Sequence, residues 1–122
     1  MKILIVLACF AFSLTSYSQT IEIPDKNFEC ALIDYGIDSD KKINGKLLIS
    51  DAKKVAFLDL SNKKIENLIG IESFTSLEYL DCRNNYLSNL DLSKNSALSA
   101  LFSDVNDVIK SDVIFDVFDW FN

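Results

Sequence analysis

Leucines recur through residues 55–108 at two spacings at once. Within each stretch they alternate with polar residues, and the stretches themselves return after a little over twenty positions. Val55-Ala-Phe-Leu58-Asp-Leu60-Ser-Asn-Lys63-Lys-Ile65 aligns with Leu77-Glu-Tyr-Leu80-Asp-Cys82-Arg-Asn-Asn85-Tyr-Leu87, and both align with Leu98-Ser-Ala-Leu101-Phe-Ser103-Asp-Val-Asn106-Asp-Val108. Leu58 to Leu80 is 22 residues and Leu80 to Leu101 is 21. Alternation with a period of two predicts one short strand per stretch. Leu58 and Leu60, Leu80 and Cys82, and Leu101 and Ser103 then face inward, and the residues between them face outward. Ile65, Leu87 and Val108 close the turn after each strand. Asn85 and Asn106 fall where an amide side chain can bond free backbone groups of that turn, with Lys63 at the same place in the first stretch. Leu68, Ile71 and Phe74 are expected to build the far wall of the first coil; Leu90, Leu92 and Ala97 that of the second.

The pattern L-x-x-L-x-L-x-x-N-x-L at this period is that of a leucine-rich repeat. It predicts an α/β solenoid with a parallel strand face. About three coils are the least that can bury a shared core, and residues 55–108 supply barely that number. Residues 20–54 read as an N-terminal helical cap. Ile21-Glu-Ile23-Pro24 is extended, Asp25 caps a helix to about Tyr35, and Gly36 stops it. Phe28, Ala31, Leu32 and Tyr35 fall on one face, which would cover the first coil's open end.

The first 19 residues have the pattern of an export signal. Lys2 precedes an apolar run from Ile3 to Leu14, and Ser16 and Ser18 are small residues before a cleavage point at Gln19. The run is shorter than the roughly 18–20 residues of a spanning helix. A lipoprotein variant acylated at Cys9 is the other reading. Without Lys2 the net charge goes from −6 to −7, 18 acids against 11 bases. That balance argues against nucleic acid and against anionic membranes. With no histidine, a conventional triad and a neutral-pH proton shuttle are unavailable.

Cys30 and Cys82 remain after cleavage. They either pair as a disulfide or pack as small apolar groups, the latter suiting the inward position of Cys82. Residues 38–51 invite a calcium test. In a twelve-residue frame from Asp40, Asn44, Gly45, Leu47 and Asp51 land on positions five, six, eight and twelve. Lys42 stands where position three needs an oxygen ligand. The alternative is an Asn-Gly turn followed by a short helix from Ser50. No metal site or cofactor is assigned.

Ile23-Pro-Asp-Lys-Asn-Phe-Glu-Cys-Ala-Leu32, Leu58-Asp-Leu-Ser-Asn62, Gly70-Ile-Glu-Ser-Phe74, Leu80-Asp-Cys-Arg-Asn-Asn85 and Leu90-Asp-Leu-Ser-Lys-Asn95 together resemble exported bacterial leucine-rich repeat proteins, broadly internalin-like. The resemblance covers roughly residues 21–108. It implies the same cap, a longer repeat array, and binding of proteins or surface ligands through the strand face, without catalysis. The tail departs from it. Ser111 stands where Leu90 would fall, and the aromatic run from Val113 to Phe121 replaces the next repeat. Residues 109–122 are either a divergent C-terminal cap or the end of a truncated array.

The expected function is a secreted or cell-surface module recognising a protein or surface ligand. It would make no nucleic-acid contact and no membrane insertion after signal cleavage. The alternative is a truncated remnant of a longer repeat adhesin with no function of its own. The ligand-binding candidates are the outward residues Phe57, Asp59, Tyr79, Asp81, Arg83 and Phe102, because aromatic rings and arginine dominate binding hot spots. Asp59 and Asp81 lie on adjacent strands, about 5 Å apart in principle, which is the separation of a retaining glycosidase pair. A shallow open sheet gives such a pair no water-excluding cleft.

Overall fold

The computed structural model describes residues 19–105 and 107–110, and the backbone of 116–118. Residues 1–18, which carry nearly all of the expected export signal, lie outside the described residues. So do Asn106, Ser111 and most of the aromatic tail. Among the described residues no helix is long and apolar enough to cross a membrane.

The chain opens with β1 (Thr20–Glu22), which pairs antiparallel with β2 (Lys46–Leu48). Between them lies helix α1 (Lys26–Asp34). Asp25 starts the helix as expected: its Oδ1 accepts from the backbone N–H of Asn27 at 2.9 Å and Phe28 at 3.0 Å. Gly36 ends it with φ at +72°, a conformation that an L side chain resists. Phe28, Ala31 and Leu32 are buried, and the Phe28 ring lies 6.1 Å from that of Phe74. Tyr35 was expected on the same buried face but is exposed. It is the residue after the last helical turn, so its ring leaves the helix stripe, and its hydroxyl donates to the backbone O of Asp59 at 2.7 Å.

A short helix α2 (Ile49–Ala52) leads to the repeats. Strand β3 (Phe57–Asp59) pairs parallel with β4 (Tyr79–Asp81), which pairs with β6 (Ala100–Phe102). Leu58, Leu80 and Leu101 stand in register, as the 22- and 21-residue spacing predicts. A strand from the tail, β8 (Asp116–Phe118), pairs parallel with β6 and makes this a four-stranded sheet. Strand β5 (Leu90–Leu92) pairs with β7 (Val108–Lys110) on a separate two-stranded ladder. The whole is a repeat fold. One hydrophobic cluster runs through it, from Ile23, Phe28 and Leu32 to Leu58, Leu80, Cys82 and Leu101. Each fully buried Leu or Phe contributes roughly 1.5–3 kcal/mol.

One wall assignment and one turn assignment change. Ala97 is exposed, and Leu98 beside it is buried, because the turn at 96–97 lifts the alanine out of the wall. Val108 does not close a turn. It begins β7 opposite Leu90, and the Leu90 N–H donates to Asp107 O at 2.9 Å. The connection after β6 is therefore three residues shorter than a strict repeat, which would have put Ser111 there. Gly70, φ +106°, marks where the segment before the repeats meets the first bend. A Cβ there would collide with the Ile23 side chain and lie 2.7 Å from Glu22 O.

Asn85 does what its position predicts. Its Oδ1 accepts from Lys63 N and Ile65 N, both at 3.0 Å, and its Nδ2 donates to Leu60 O at 2.7 Å and Cys82 O at 3.1 Å. One amide thus closes its own bend and that of the preceding repeat. On the far wall the fully buried Asn95 bonds the preceding repeat alone, its Nδ2 donating to Ile71 O at 2.8 Å and Phe74 O at 3.1 Å.

In the 38–51 loop, the residues of the calcium frame are taken up by the loop itself. Asp40 accepts from Lys42 N and Asn44 Nδ2, Asp51 accepts from Ser39 N and Oγ, and Leu47 is buried in β2. The buried carboxylate of Glu29 holds the Asn-Gly turn through Asn44 N and Gly45 N. Among the described residues, no group of three His, Cys, Asp or Glu side chains is placed to hold a metal. Cys30 and Cys82 are both free thiols, and burial pushes Cys82 up to about 12, leaving it a packed, unreactive group.

Candidate functional site

The outward face of β3, β4 and β6 gathers five of the six candidate residues into one contacting set. Register places Phe57 beside Tyr79 and Ala100, and Asp59 beside Asp81 and Phe102. The Phe57 and Tyr79 rings stack at 4.2 Å between centroids with an interplanar angle of 8°. Phe102 sits one column across, yet its ring reaches Tyr79 at 5.4 Å and 44°. Ala100, with no ring of its own, leaves that space beyond Tyr79. The Arg83 guanidinium lies 5.0 Å from the Phe102 centroid and continues the stack. Phe57, at the other end, is 62% exposed.

Arg83 is held in place by Asp81. Its Nε donates to Oδ1 at 3.0 Å and its terminal nitrogen to Oδ2 at 2.6 Å, a two-pronged ion pair. These bonds raise the Arg83 pKa further. Asp81 points outward, as alternation requires, but the arginine covers it and it is only 3% exposed. It positions Arg83 and offers little surface of its own, which corrects its expected role as a contact residue. Asp59 is more open. Burial pushes its carboxyl up, but bonds from Ser61 Oγ and N, with Lys63 and Arg83 nearby, outweigh that and hold it below the usual carboxylate range. A glycosidase pair needs one carboxyl held protonated. Asp59 is held the other way, and Asp81 is spent on Arg83. Tyr79 is shifted up, by burial first and then by the charges of Asp81 and Asp59, so it stays a neutral ring.

A pocket of about 540 Å³ opens beside Phe57, where the turn after α1 faces the outer edge of β3. Tyr35, Ile37, Val55, Phe57 and Asp59 line it, with Lys54 and Asp51. Tyr35 belongs to this neighbourhood through its bond to Asp59 and through Lys63, whose Nζ lies 5.7 Å from its ring centroid. The sequence pattern assigned Tyr35 to the core. Only its place at the helix end, before Gly36, hinted otherwise.

The parallel rungs, the bridging asparagine and the open strand face make this an internalin-like repeat fold. The likeness that supports it is to the functional domain of InlJ from Listeria monocytogenes, which includes a cysteine ladder. Identity is 26%, the TM-score is 0.60, and the match covers 74% of this chain and 21% of that one. This chain's inward positions along the rungs are Leu60, Cys82 and Ser103. The chain is also similar to a structure of the CBM51-2 and INT domains of Clostridium perfringens ZmpB, at 24% identity and a TM-score of 0.49, over 70% of this chain and 19% of that one. It thus spans about a fifth of the length of either neighbour. The chain matches no family model and no curated protein.

Proposed function

We propose that this chain is an exported, secreted or cell-surface leucine-rich repeat module. In this reading residues 20–54 cap one end of a short solenoid, and the strand face recognises a protein or surface ligand without catalysis. The observation that carries the reading is the unbroken stack from Phe57 through Tyr79 and Phe102 to Arg83. Rings held rigidly by their neighbours lose little freedom on binding, and arginine beside them adds a charge-assisted donor set. The acidic balance and the internalin-like fold support a protein or surface ligand over nucleic acid.

The test uses an array of extracellular protein domains and surface glycans, probed with the parent chain and with a Tyr79→Ala/Arg83→Ala double variant of unchanged circular dichroism. A ligand bound by the parent should be held at least tenfold more weakly by the variant. Equal binding of that ligand by both would remove the strand face from the recognition surface.

A further inference from the structure

The first strand of the sheet has a neighbour on one side only. Ala56 O accepts from Glu78 N and Tyr79 N, Leu60 N donates to Asp81 O, and Asn62 N donates to Arg83 O. The backbone groups of residues 56, 60 and 62 therefore face β4. By alternation those of Phe57 and Asp59 face the other way. Asp59 O confirms the direction, since Tyr35 takes it from the helix side. That leaves Phe57 N–H, Phe57 C=O and Asp59 N–H without a hydrogen-bond partner among the described residues. They border the pocket of about 540 Å³ beside the turn after α1.

We propose that this edge is a strand-addition site. Its occupant is an extended segment of a partner protein that presents an aromatic side chain and, two positions away, a basic one. The side-chain pattern rests on the strand-face reading above; the backbone pairing does not. A strand added here lies about 4.8 Å from β3, and its alternate side chains share the face of Phe57 and Asp59. A ring opposite Phe57 would extend the stack that Phe57 already makes with Tyr79 at 4.2 Å.

The charge of the partner follows from comparing the first two rungs. In the second, Arg83 forks onto Asp81 from two residues on. In the first, Ser61 occupies that place, so no guanidinium reaches Asp59 from within the rung. Lys63 is near, but its Nζ sits over the Tyr35 ring. Asp51 and Asp59 line the pocket against Lys54, in a chain of net charge −6. A basic side chain opposite Asp59 would add a directly paired cation across the strands to the more distant Lys63 and Arg83.

The probe is the capped peptide Thr-Arg-Thr-Trp-Thr-Arg-Thr, whose basic residues flank the ring on both sides, so either strand direction satisfies the pattern. It is titrated into the full isotope-labelled chain, with NMR shifts followed residue by residue. The amides of Phe57 and Asp59 should shift saturably. Methylating the three central peptide nitrogens should weaken binding at least tenfold, as should replacing both arginines with glutamate. Asp59→Asn should weaken it severalfold with the fold unchanged. Unmoved Phe57 and Asp59 amides would overturn the proposal, as would equal binding of the methylated peptide or unchanged affinity with Asp59→Asn. Shifts confined to Tyr79 and Phe102 would refute the edge site while leaving the strand-face reading standing. Concentration-dependent shifts of the two amides without peptide would give the edge to a second copy of the chain and refute the proposal equally.

Discussion

Polar side chains at the bends and polar side chains on the strand face are bonded in opposite ways. At the bends they reach far along the chain. Asp25 accepts through Oδ2 from Glu66 N and Asn67 N, 41 and 42 residues away, and Asn85 spans 20 to 25 residues to Lys63, Ile65 and Leu60. At the strand ends most bonds close locally, although Asp104 reaches back to accept from Asn84 N at 3.0 Å. Asp59, Asp81 and Asp91 each accept the backbone N–H two residues on, at 3.0, 3.1 and 3.0 Å. The far-reaching bonds tie half-buried backbone groups of one length of chain to side chains of another, so they help define the fold. The local bonds finish a turn that water could also finish. Those positions can change their side chains without unravelling the repeats, and that freedom is what a recognition surface requires.

The sharpest way to break this contrast is Asn85→Ala. It strands Lys63 N, Ile65 N, Leu60 O and Cys82 O at half-buried positions, and urea unfolding should show a loss of about 2–4 kcal/mol. A loss below about 1 kcal/mol would mean that water replaces the amide and that bend and face do not differ in kind.

Asp38 is the intermediate case, buried like Asp25 but partnered locally. Its Oδ1 accepts from Asp40 N at 3.3 Å, and its Oδ2 has no hydrogen-bond partner among the described residues. Burial first, then Asp40 and Glu29, raise it from 3.8 to about 6. A carboxyl whose native pKa lies above its unfolded value binds its proton more tightly when folded. Its contribution is complete below about 3.8 and is lost as pH rises through about 6. Urea midpoints should therefore fall between about pH 4 and 6 in the parent. Asp38→Asn should flatten that slope and stabilise the chain at pH 7 by on the order of 1–2 kcal/mol. An unchanged slope in the variant would show that Asp38 is not the group responsible.

The smallest effect belongs to the face. Asp59→Asn keeps an oxygen for Ser61 and should alter stability by no more than about 0.5 kcal/mol in the same unfolding experiment. A change comparable to that of Asn85→Ala would erase the distinction between the two regions.

The rungs were legible because inward leucines repeat at 22 and 21 residues, and burial of Leu58, Leu80 and Leu101 leaves the register no competitor. The outward rings and Arg83 followed from alternation alone. Other features needed the fold. Asn95 looks like any loop asparagine until the far wall brings it under Ile71 and Phe74. Glu29 reads as a solvated helix residue, but the returning Asn-Gly turn buries it. Val108 fitted the repeat and was misplaced, because strand pairing with Leu90 outweighed the periodicity where the connection shortens. Asp81 was read as exposed since alternation says which way a side chain points, not what lies on top of it.

Asn85 also carries a consequence for how the lengths of the chain depend on one another. The bend after Leu60 is closed by a side chain that stands more than twenty residues later, and Asp25 reaches Glu66 and Asn67 in the same manner. The helix entry has its local cap through Asn27 and Phe28, but its second carboxylate oxygen, like the first bend, is satisfied only by distant chain. Each length of chain is thus clamped by side chains from a part of the sequence well removed from it.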